Sequence, residues 1–108
     1  MKLLQAELLS EAVERLVACF EPEAIYLYGS HAYGVPHADS DIDLYVVVAE
    51  SSQPPHQRAA AAYLALYDLG VPVEVTVATD AEFSRRGAWL NSVEREIRQK
   101  GQLLYAAA

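Results

Sequence analysis

Residues 24–48 of the chain read AIYLYGSHAYGVPHADSDIDLYVVV. They predict two strands separated by a loop: an aromatic and branched run comes first, an apolar run comes last, and glycine, proline and aspartate lie between. The first strand covers 24–28 and ends at Gly29-Ser30, where a single helical turn could begin. The second strand covers 41–49. The polar residues lie between the two strands or at their ends, and we expect any chemistry there.

Helices and one further strand flank this stretch. Apolar residues at helical spacing predict a first helix over 4–20. After the second strand we expect, in order, a helix entered at Pro54-Pro55 and capped by Gly70, a strand over 71–77, a short helix capped by Thr79 or Asp80, a helix over 88–99 and an optional strand over 102–105. This order predicts an α/β (α+β) fold, a small mixed sheet of about three to four strands with helices packed mainly on one face.

Length and charge narrow the class of protein. A chain of 108 residues predicts a single domain, residues 1–108. The net charge of -7 disfavours long nucleic acid as a partner and suits a basic protein or a small anion held through metal ions. No apolar run is long enough for a membrane span or a signal peptide, so we expect a cytoplasmic protein without membrane contact. Cys19 has no partner cysteine, and we expect it to be buried.

Asp41 and Asp43 are two positions apart on the second predicted strand, so their side chains point to the same face. Neighbouring carboxylates repel each other, and each resists ionisation unless a positive charge lies between them. Mg²⁺ suits this position because it prefers oxygen ligands and takes one or two carboxylates together with substrate phosphates. The pair predicts a site for one or two Mg²⁺ ions. A solvated pair at a strand start is the alternative, and the apolar run that follows argues against it.

Gly29-Ser30 and Glu74 complete the predicted chemistry. Glycine allows a ligand to approach the backbone closely, and N–H groups at a strand-to-helix turn attract phosphate. Glu74 lies between Val73 and Val75 in the third strand. If that strand pairs beside the one that carries the aspartates, Glu74 can reach the same metal ions as a ligand or general base. A solvated strand face is the alternative position for Glu74.

These residues carry a family resemblance. Gly29-Ser30, then ten residues, then Asp41-Ile42-Asp43 resembles the signature of the DNA polymerase β-like nucleotidyltransferase superfamily. The length is similar to that of the minimal nucleotidyltransferases, which include antitoxins paired with HEPN proteins. Two departures are visible: the third carboxylate of the family is usually aspartate, and an arginine often follows the glycine-serine pair where this chain has His31 and Tyr33.

The resemblance implies a polymerase β-like fold and a Mg²⁺-dependent enzyme that transfers a nucleoside monophosphate, AMP from ATP, to a hydroxyl group. It implies catalysis and metal binding by Asp41, Asp43 and Glu74. It implies nucleotide binding by Gly29, Ser30 and Ser40. The implied acceptor is a tyrosine of a small helical HEPN-type toxin, which would make the chain a protein adenylyltransferase and an antitoxin.

Two other functions stay open at this point, and so does the oligomeric state, homo- or hetero-oligomeric. The chain could mask a partner by contact alone, with weak or lost catalysis, or it could modify a small molecule such as an antibiotic. Among the aromatic residues, Tyr63 and Tyr67 are expected to pack in the core rather than stack on bases. Trp89 fits core packing and a partner interface equally well.

Overall fold

The computed structural model describes residues 3–33 and 41–108 of the chain. Within these ranges the elements are, in chain order, α1 (Leu3–Phe20), β1 (Ala24–Tyr28), α2 (Ser30–Tyr33), β2 (Ile42–Val48), α3 (Pro55–Leu66), β3 (Val73–Thr79), α4 (Asp80–Gly87), α5 (Val93–Lys100) and β4 (Gln102–Ala106). The predicted succession of helices and strands is confirmed, including the helical turn at residue 30 and the final strand.

The strands form a four-stranded mixed sheet in the order β3-β2-β1-β4. Strand β1 lies antiparallel to both β2 and β4. Strand β2 lies parallel to β3, and α3 makes the crossover that a parallel pair requires. The predicted α/β fold with a small mixed sheet is confirmed. The parallel pair is what brings the acidic third strand beside the two aspartates.

Strand β2 is buried on both faces of the sheet, which explains its uninterrupted apolar sequence. Leu44 and Val46 face a core formed with α1 and α3, where Leu16 and Leu66 are buried. On the opposite face, a second core with α4 and α5 contains Tyr45, Val47, Ala78, Phe83 and Ile97. The two longer helices thus share one face, and the two shorter helices cover part of the other.

Two element boundaries differ from the prediction for local reasons. Strand β3 begins at Val73 rather than at residue 71 and continues to Thr79, whose side chain accepts a hydrogen bond from the Glu82 N–H and so begins α4. The helix predicted over 88–99 begins only at Val93, because Ser92 is its N-cap. Leu90, which lies within the predicted range but before the observed helix, is 78% exposed.

Three side chains predicted to be buried are exposed. Cys19 lies on the solvent side of α1. Tyr63 is 70% exposed and Tyr67 is 69% exposed. They are exposed because α3 packs beside β3 at the edge of the sheet, so one side of this helix has no strand to cover it. Within the described ranges, none of the helices combines the length and apolar character that a membrane crossing requires.

Candidate functional site

Gly29 brings the end of β1 against the start of β2. The antiparallel register pairs Tyr28 with Asp43, so Gly29 follows directly beside that aspartate. Gly29 has a φ of +76°, and a Cβ atom there would overlap the Asp43 carboxylate and lie 3.2 Å from its Cγ. Only glycine allows both the backbone turn and this close approach. The sequence predicted that a phosphate ligand approaches the backbone at Gly29; the structure shows that the Asp43 carboxylate lies against this backbone.

The parallel register of β2 and β3 places Glu74 directly beside Asp43. Burial of Asp43 raises its pKa most, and the charges of Glu74 and Asp41 raise it further. A hydrogen bond between the Glu74 and Asp43 side chains acts in the same direction, whereas the charge of His31 lowers the pKa. The structure therefore brings the three predicted carboxylates to one end of the sheet. Asp41 and Glu74 are exposed, and Asp43 is half-buried.

These carboxylates fit a divalent cation, although they do not form a closed cage. Among the described residues, no three His, Cys, Asp or Glu side chains converge closely enough to hold a metal ion by themselves. The raised pKa of Asp43 means that the folded chain does not fully offset the burial of this carboxylate and its repulsion by Glu74 and Asp41. A cation between the carboxylates would relieve it, and Mg²⁺ needs only one or two carboxylates when phosphates complete its coordination.

The predicted nucleotide-binding residues are only partly within the described ranges. Gly29 is described in full, and its backbone lies beside Asp43. The backbone of Ser30 begins α2, but its side chain lies outside the described part of the structure. Ser40 lies outside the described residues altogether. The Gly29 backbone and the carboxylates therefore carry the structural case for this site.

A second charged cluster, which the sequence did not reveal, joins α3, β3 and α4. Arg58 is only 5% exposed, and its Nη1 donates to Glu82 Oε1 at 2.8 Å and to the Val77 carbonyl at 2.9 Å. The Thr79 N–H donates to the same carboxylate oxygen at 2.8 Å. The pKa of Glu82 is lowered to about 2. The hydrogen bond from Arg58 is the largest cause, and the hydrogen bond from the Thr79 N–H is the second. The only sequence signal was an arginine at the start of an alanine-rich helix.

A buried polar contact lies on the face of the sheet that carries Asp43. The Tyr45 hydroxyl donates to Glu94 Oε2 at 2.7 Å, and Arg86 Nη1 lies 3.9 Å from the same oxygen. Burial and the contact with Glu94 raise the pKa of Tyr45, so the phenol stays protonated. This contact fixes α5 on β2 two residues beyond Asp43. It was missed because its partners are 49 residues apart.

Comparisons with known proteins identify the family and the fold of the chain. A family model described as a nucleotidyltransferase domain matches residues 7–104. A crystal structure of a candidate nucleotidyltransferase from Sulfolobus solfataricus aligns with a TM-score of 0.66 and 22% identity over 93% of this chain and 78% of that chain. No curated protein matches the chain.

Two toxin–antitoxin crystal structures also share the fold. One, with AMP-PNP, aligns with a TM-score of 0.57 and 20% identity over 91% of this chain and 73% of that chain. The other, a mutant of the MntA–HpeT complex, aligns with a TM-score of 0.57 and 17% identity over the same shares, 91% and 73%. At these identities the likeness concerns the fold.

Proposed function

The chain belongs to the nucleotidyltransferase domain family, and we propose that it transfers a nucleoside monophosphate, AMP from ATP, to a hydroxyl acceptor in a Mg²⁺-dependent reaction. One observation carries the proposal: the Asp43 carboxylate lies between the bare backbone of Gly29 and the side chain of Glu74. A carboxylate that is partly buried beside two others favours binding of a cation. Backbone N–H groups at the strand-to-helix turn formed by Gly29-Ser30 favour binding of a phosphate beside it.

Asp41 and Asp43 would hold one or two Mg²⁺ ions, and Gly29, Ser30 and Ser40 would hold the triphosphate. When bound, Mg²⁺ neutralises the phosphates and stabilises the attacking and leaving oxygens of an in-line displacement. Gly29 has no side chain of its own, so the Asp43 carboxylate lies directly against its backbone, and the triphosphate would bind beside this contact. The half-buried position of Asp43 fixes its carboxylate against this backbone, so metal and phosphate would be held side by side.

Glu74 would bind a metal ion or accept the proton of the attacking hydroxyl group. The hydroxyl oxygen forms a bond to the α-phosphorus, the bond to the bridging oxygen breaks, and pyrophosphate leaves with that electron pair. Glu74 is exposed on an edge strand, where an acceptor can reach it. Glu74 is the register partner of Asp43 on the neighbouring strand, and its charge helps to raise the pKa of Asp43.

The acceptor we propose is a tyrosine of a small helical HEPN-type toxin in the cytoplasm, with this chain as the antitoxin of a hetero-oligomer. The toxin–antitoxin complexes among the structural neighbours support this assignment, and one of them was crystallised with AMP-PNP. The net charge of -7 favours a basic protein over a nucleic acid as the bound partner.

The proposal is tested with α-labelled ATP, Mg²⁺ and lysate of the source organism. We expect the wild-type chain to label a protein, and the Asp41→Asn, Asp43→Asn double variant to label nothing. Asp80→Asn is the matched control, because Asp80 is an exposed aspartate in the first turn of α4. Equal labelling by the double variant would contradict the proposal. No labelling with any of the four nucleotides would favour a chain that masks its partner by contact alone, and label in the small-molecule fraction would favour an antibiotic-type enzyme.

A further inference from the structure

The hydrogen bonds of β3 identify which of its backbone groups face outward. The Ile42 N–H donates to the Pro72 carbonyl at 3.0 Å, so Pro72 turns its backbone toward β2. Successive residues of a strand turn their backbone groups to alternate sides, and the register with β2 is regular along the whole of β3. Every second residue therefore points its N–H and C=O groups away from β2, to the outer edge of the sheet: Val73, Val75, Val77 and Thr79.

A buried ion pair closes the last part of this edge. Arg58 Nη1 donates to the Val77 carbonyl, and Glu82 Oε1 accepts from the Thr79 N–H. Among the described residues, β2 is the only strand beside β3, and no hydrogen bond occupies the outward groups of residues 73–75. Exposed strand edges of this kind pair readily with another strand. The fold thus covers the end of the edge with side chains and leaves its beginning open.

A cleft of about 330 Å³ runs along the open part of the edge, between β3 and α3. Residues 71–75 line one side of it, and the exposed Tyr63 and Tyr67 line the other. The valine side chains of β3 pack toward α3, so the cleft lies on the face of the sheet opposite to the Glu74 side chain. Exposed aromatic side chains beside an apolar surface are typical of protein interfaces.

The charge of this surface favours a second copy of the chain as the occupant. The chain has a net charge of -7, so two copies repel each other over most of their surfaces. Residues 51–67 contain no acidic residue, and their only charged side chain is the buried Arg58. Asp68, which follows, is paired with Arg15. An acidic chain can approach its own copy at such a neutral surface, whereas a basic partner is attracted to the acidic surfaces elsewhere.

We propose that two copies of this chain pair antiparallel through their β3 edges and form one continuous eight-stranded sheet. On the cleft face, Tyr63 and Tyr67 of each copy pack against α3 of the other. These four tyrosines, at on the order of 150 Å² each, supply about half of the roughly 1,200 Å² that a stable interface buries. The inference goes beyond the proposed function and does not depend on the transfer reaction.

Two features of β3 select the register of this pairing. Glu74 is the only charged residue of the strand, and a two-fold axis at Glu74 would place two carboxylates opposite each other. An axis at Thr76 or beyond would require pairing at Thr79, whose N–H is already bound to Glu82. Because outward-facing residues must meet one another, the axis that avoids both conflicts lies at Val75.

An axis at Val75 satisfies the open edge. Val75 lies opposite its own copy and exchanges two backbone hydrogen bonds with it. Val73 lies opposite Val77, whose carbonyl oxygen has a second lone pair with which to accept a bond. Glu74 lies opposite Thr76 of the second copy, so no like charges meet across the interface.

The first test is the mass of the chain in solution, measured by sedimentation equilibrium over a range of concentrations. Reducing agent is present, because otherwise the exposed Cys19 can link two copies. We expect the wild-type mass to rise from 11.9 kDa toward twice that value. A Tyr63→Ser, Tyr67→Ser double variant should raise the dissociation constant at least about tenfold. Trp89→Ser should match the wild type, because Trp89 is 56% exposed and does not line the cleft.

Two results of this measurement would overturn the inference. One is a wild-type chain that stays monomeric at every concentration. The other is an equal loss of the dimer in Trp89→Ser and in the double variant, since the effect would then not belong to the cleft.

Amide hydrogen exchange, followed by NMR, tests the strand pairing itself. We expect the Val73 and Val75 N–H groups to exchange at least about tenfold more slowly in the wild type than in the double variant at the same concentration. The Thr76 N–H points to β2 and should be protected equally in both proteins. Equal exchange at Val75 in the two proteins would overturn the pairing of β3 edges, even where a dimer forms.

Addition of the proposed toxin partner separates the two possible occupants. If the wild-type chain is monomeric and Val75 becomes protected only when that protein is added, the edge belongs to the toxin and the inference is wrong. Neither measurement uses a nucleotide, so the pairing can fail while the transfer reaction stands, and the reaction can fail while the pairing stands.

Discussion

The carboxylates near the two ends of β3 have pKa values that are shifted in opposite directions. At the beginning of the strand, Glu74 and Asp41 face Asp43 and, together with burial, raise its pKa. Just past the end of the strand, Glu82 accepts hydrogen bonds from Arg58 and from the Thr79 N–H, which lower its pKa to about 2. The acidic group just past one end of β3 thus has its hydrogen-bond donors within the fold, whereas the acidic groups at the other end face one another.

This difference separates a structural carboxylate from a functional one. Glu82 has its cation within the chain, so its charge stabilises the junction of α3, β3 and α4. Asp43 has carboxylates as its nearest charged neighbours apart from His31, and this arrangement favours a cation from outside. We therefore expect substitutions of Asp43 and its neighbours to affect mainly activity, and substitutions of Glu82 to affect mainly stability.

The largest effect is expected for Asp43→Asn on nucleotidyl transfer. The amide keeps the shape of the side chain but binds Mg²⁺ poorly, so kcat/KM should fall roughly a thousandfold, which corresponds to about 4 kcal/mol. The measurement is the initial rate of pyrophosphate release with ATP, Mg²⁺ and the acceptor, with Asp80→Asn as the control. A fall of less than tenfold would contradict the role of Asp43.

The next largest effect is expected for Glu82→Gln on stability. The substitution leaves Arg58 buried without its anionic partner, which should cost about 3 kcal/mol of unfolding free energy. Urea denaturation measures it, and Glu96→Gln is the control because Glu96 is an exposed residue of α5. Transfer activity of the folded Glu82→Gln protein should stay within about threefold of the wild type. An unchanged free energy of unfolding would contradict the structural role of Glu82 and its distinction from Asp43.

A smaller effect is expected for Gly29→Ala, and Gly70→Ala is its matched control. Both glycines have positive φ, +76° and +88°, so both substitutions carry the strain of a left-handed backbone, about 1 kcal/mol. Only at Gly29 does the added Cβ also meet the Asp43 carboxylate, whereas nothing lies within 4 Å at Gly70. Gly29→Ala should therefore be less stable than Gly70→Ala by about a further 1 kcal/mol and should lose activity. Equal stabilities would mean that the approach of Asp43 to Gly29 is not close.

The smallest effect is the dependence of the Asp43→Asn stability change on pH. The raised pKa means that the folded protein binds the Asp43 proton more tightly than the unfolded chain does. This contribution to stability is full below the unfolded pKa and is lost as pH rises through the folded pKa. Asp43→Asn should thus stabilise the protein slightly at pH 7, by less than about 1 kcal/mol, and the gain should vanish in acid.

The pKa of Glu82 is shifted in the opposite direction to that of Asp43, so Glu82 provides an internal check on the predicted pH dependence. Its lowered pKa makes its contribution full above the unfolded value of 4.5, and the contribution is lost as pH falls toward about 2. Denaturation curves of the wild type and Glu82→Gln should therefore converge in acid. If Asp43→Asn and Glu82→Gln shift stability in the same direction at pH 7, the contrast between the two carboxylates is wrong.

The sequence predicted the parts of the site that lie close together along the chain. Gly29 precedes one strand end and Asp41 and Asp43 begin the next strand, so local patterns of glycine and alternation identified them. The contribution of Glu74 was conditional on strand pairing, because Asp43 and Glu74 meet only if β2 and β3 are parallel neighbours in the observed register. That register depends on the packing of α3, which local patterns do not specify.

The interactions that the sequence did not predict are those set by tertiary contacts. Arg58 and Glu82 are 24 positions apart and meet across three elements. Tyr63 and Tyr67 have the spacing of a buried helical stripe, yet they are exposed because the neighbouring strand is the last in the sheet. Helical periodicity identifies an apolar face, but only the strand order reveals whether that face is covered.

The most direct measurement of the central claim follows the side-chain carboxyl resonances by ¹³C NMR while Mg²⁺ and a non-hydrolysable ATP analogue are added at neutral pH. The resonances of Asp41, Asp43 and Glu74 should shift with increasing Mg²⁺, and that of Glu82 should stay in place. If Glu82 shifts as much as Asp43, or if the carboxyl groups of Asp41, Asp43 and Glu74 do not respond, the account of a cation-binding transfer site at the beginning of β3 is contradicted.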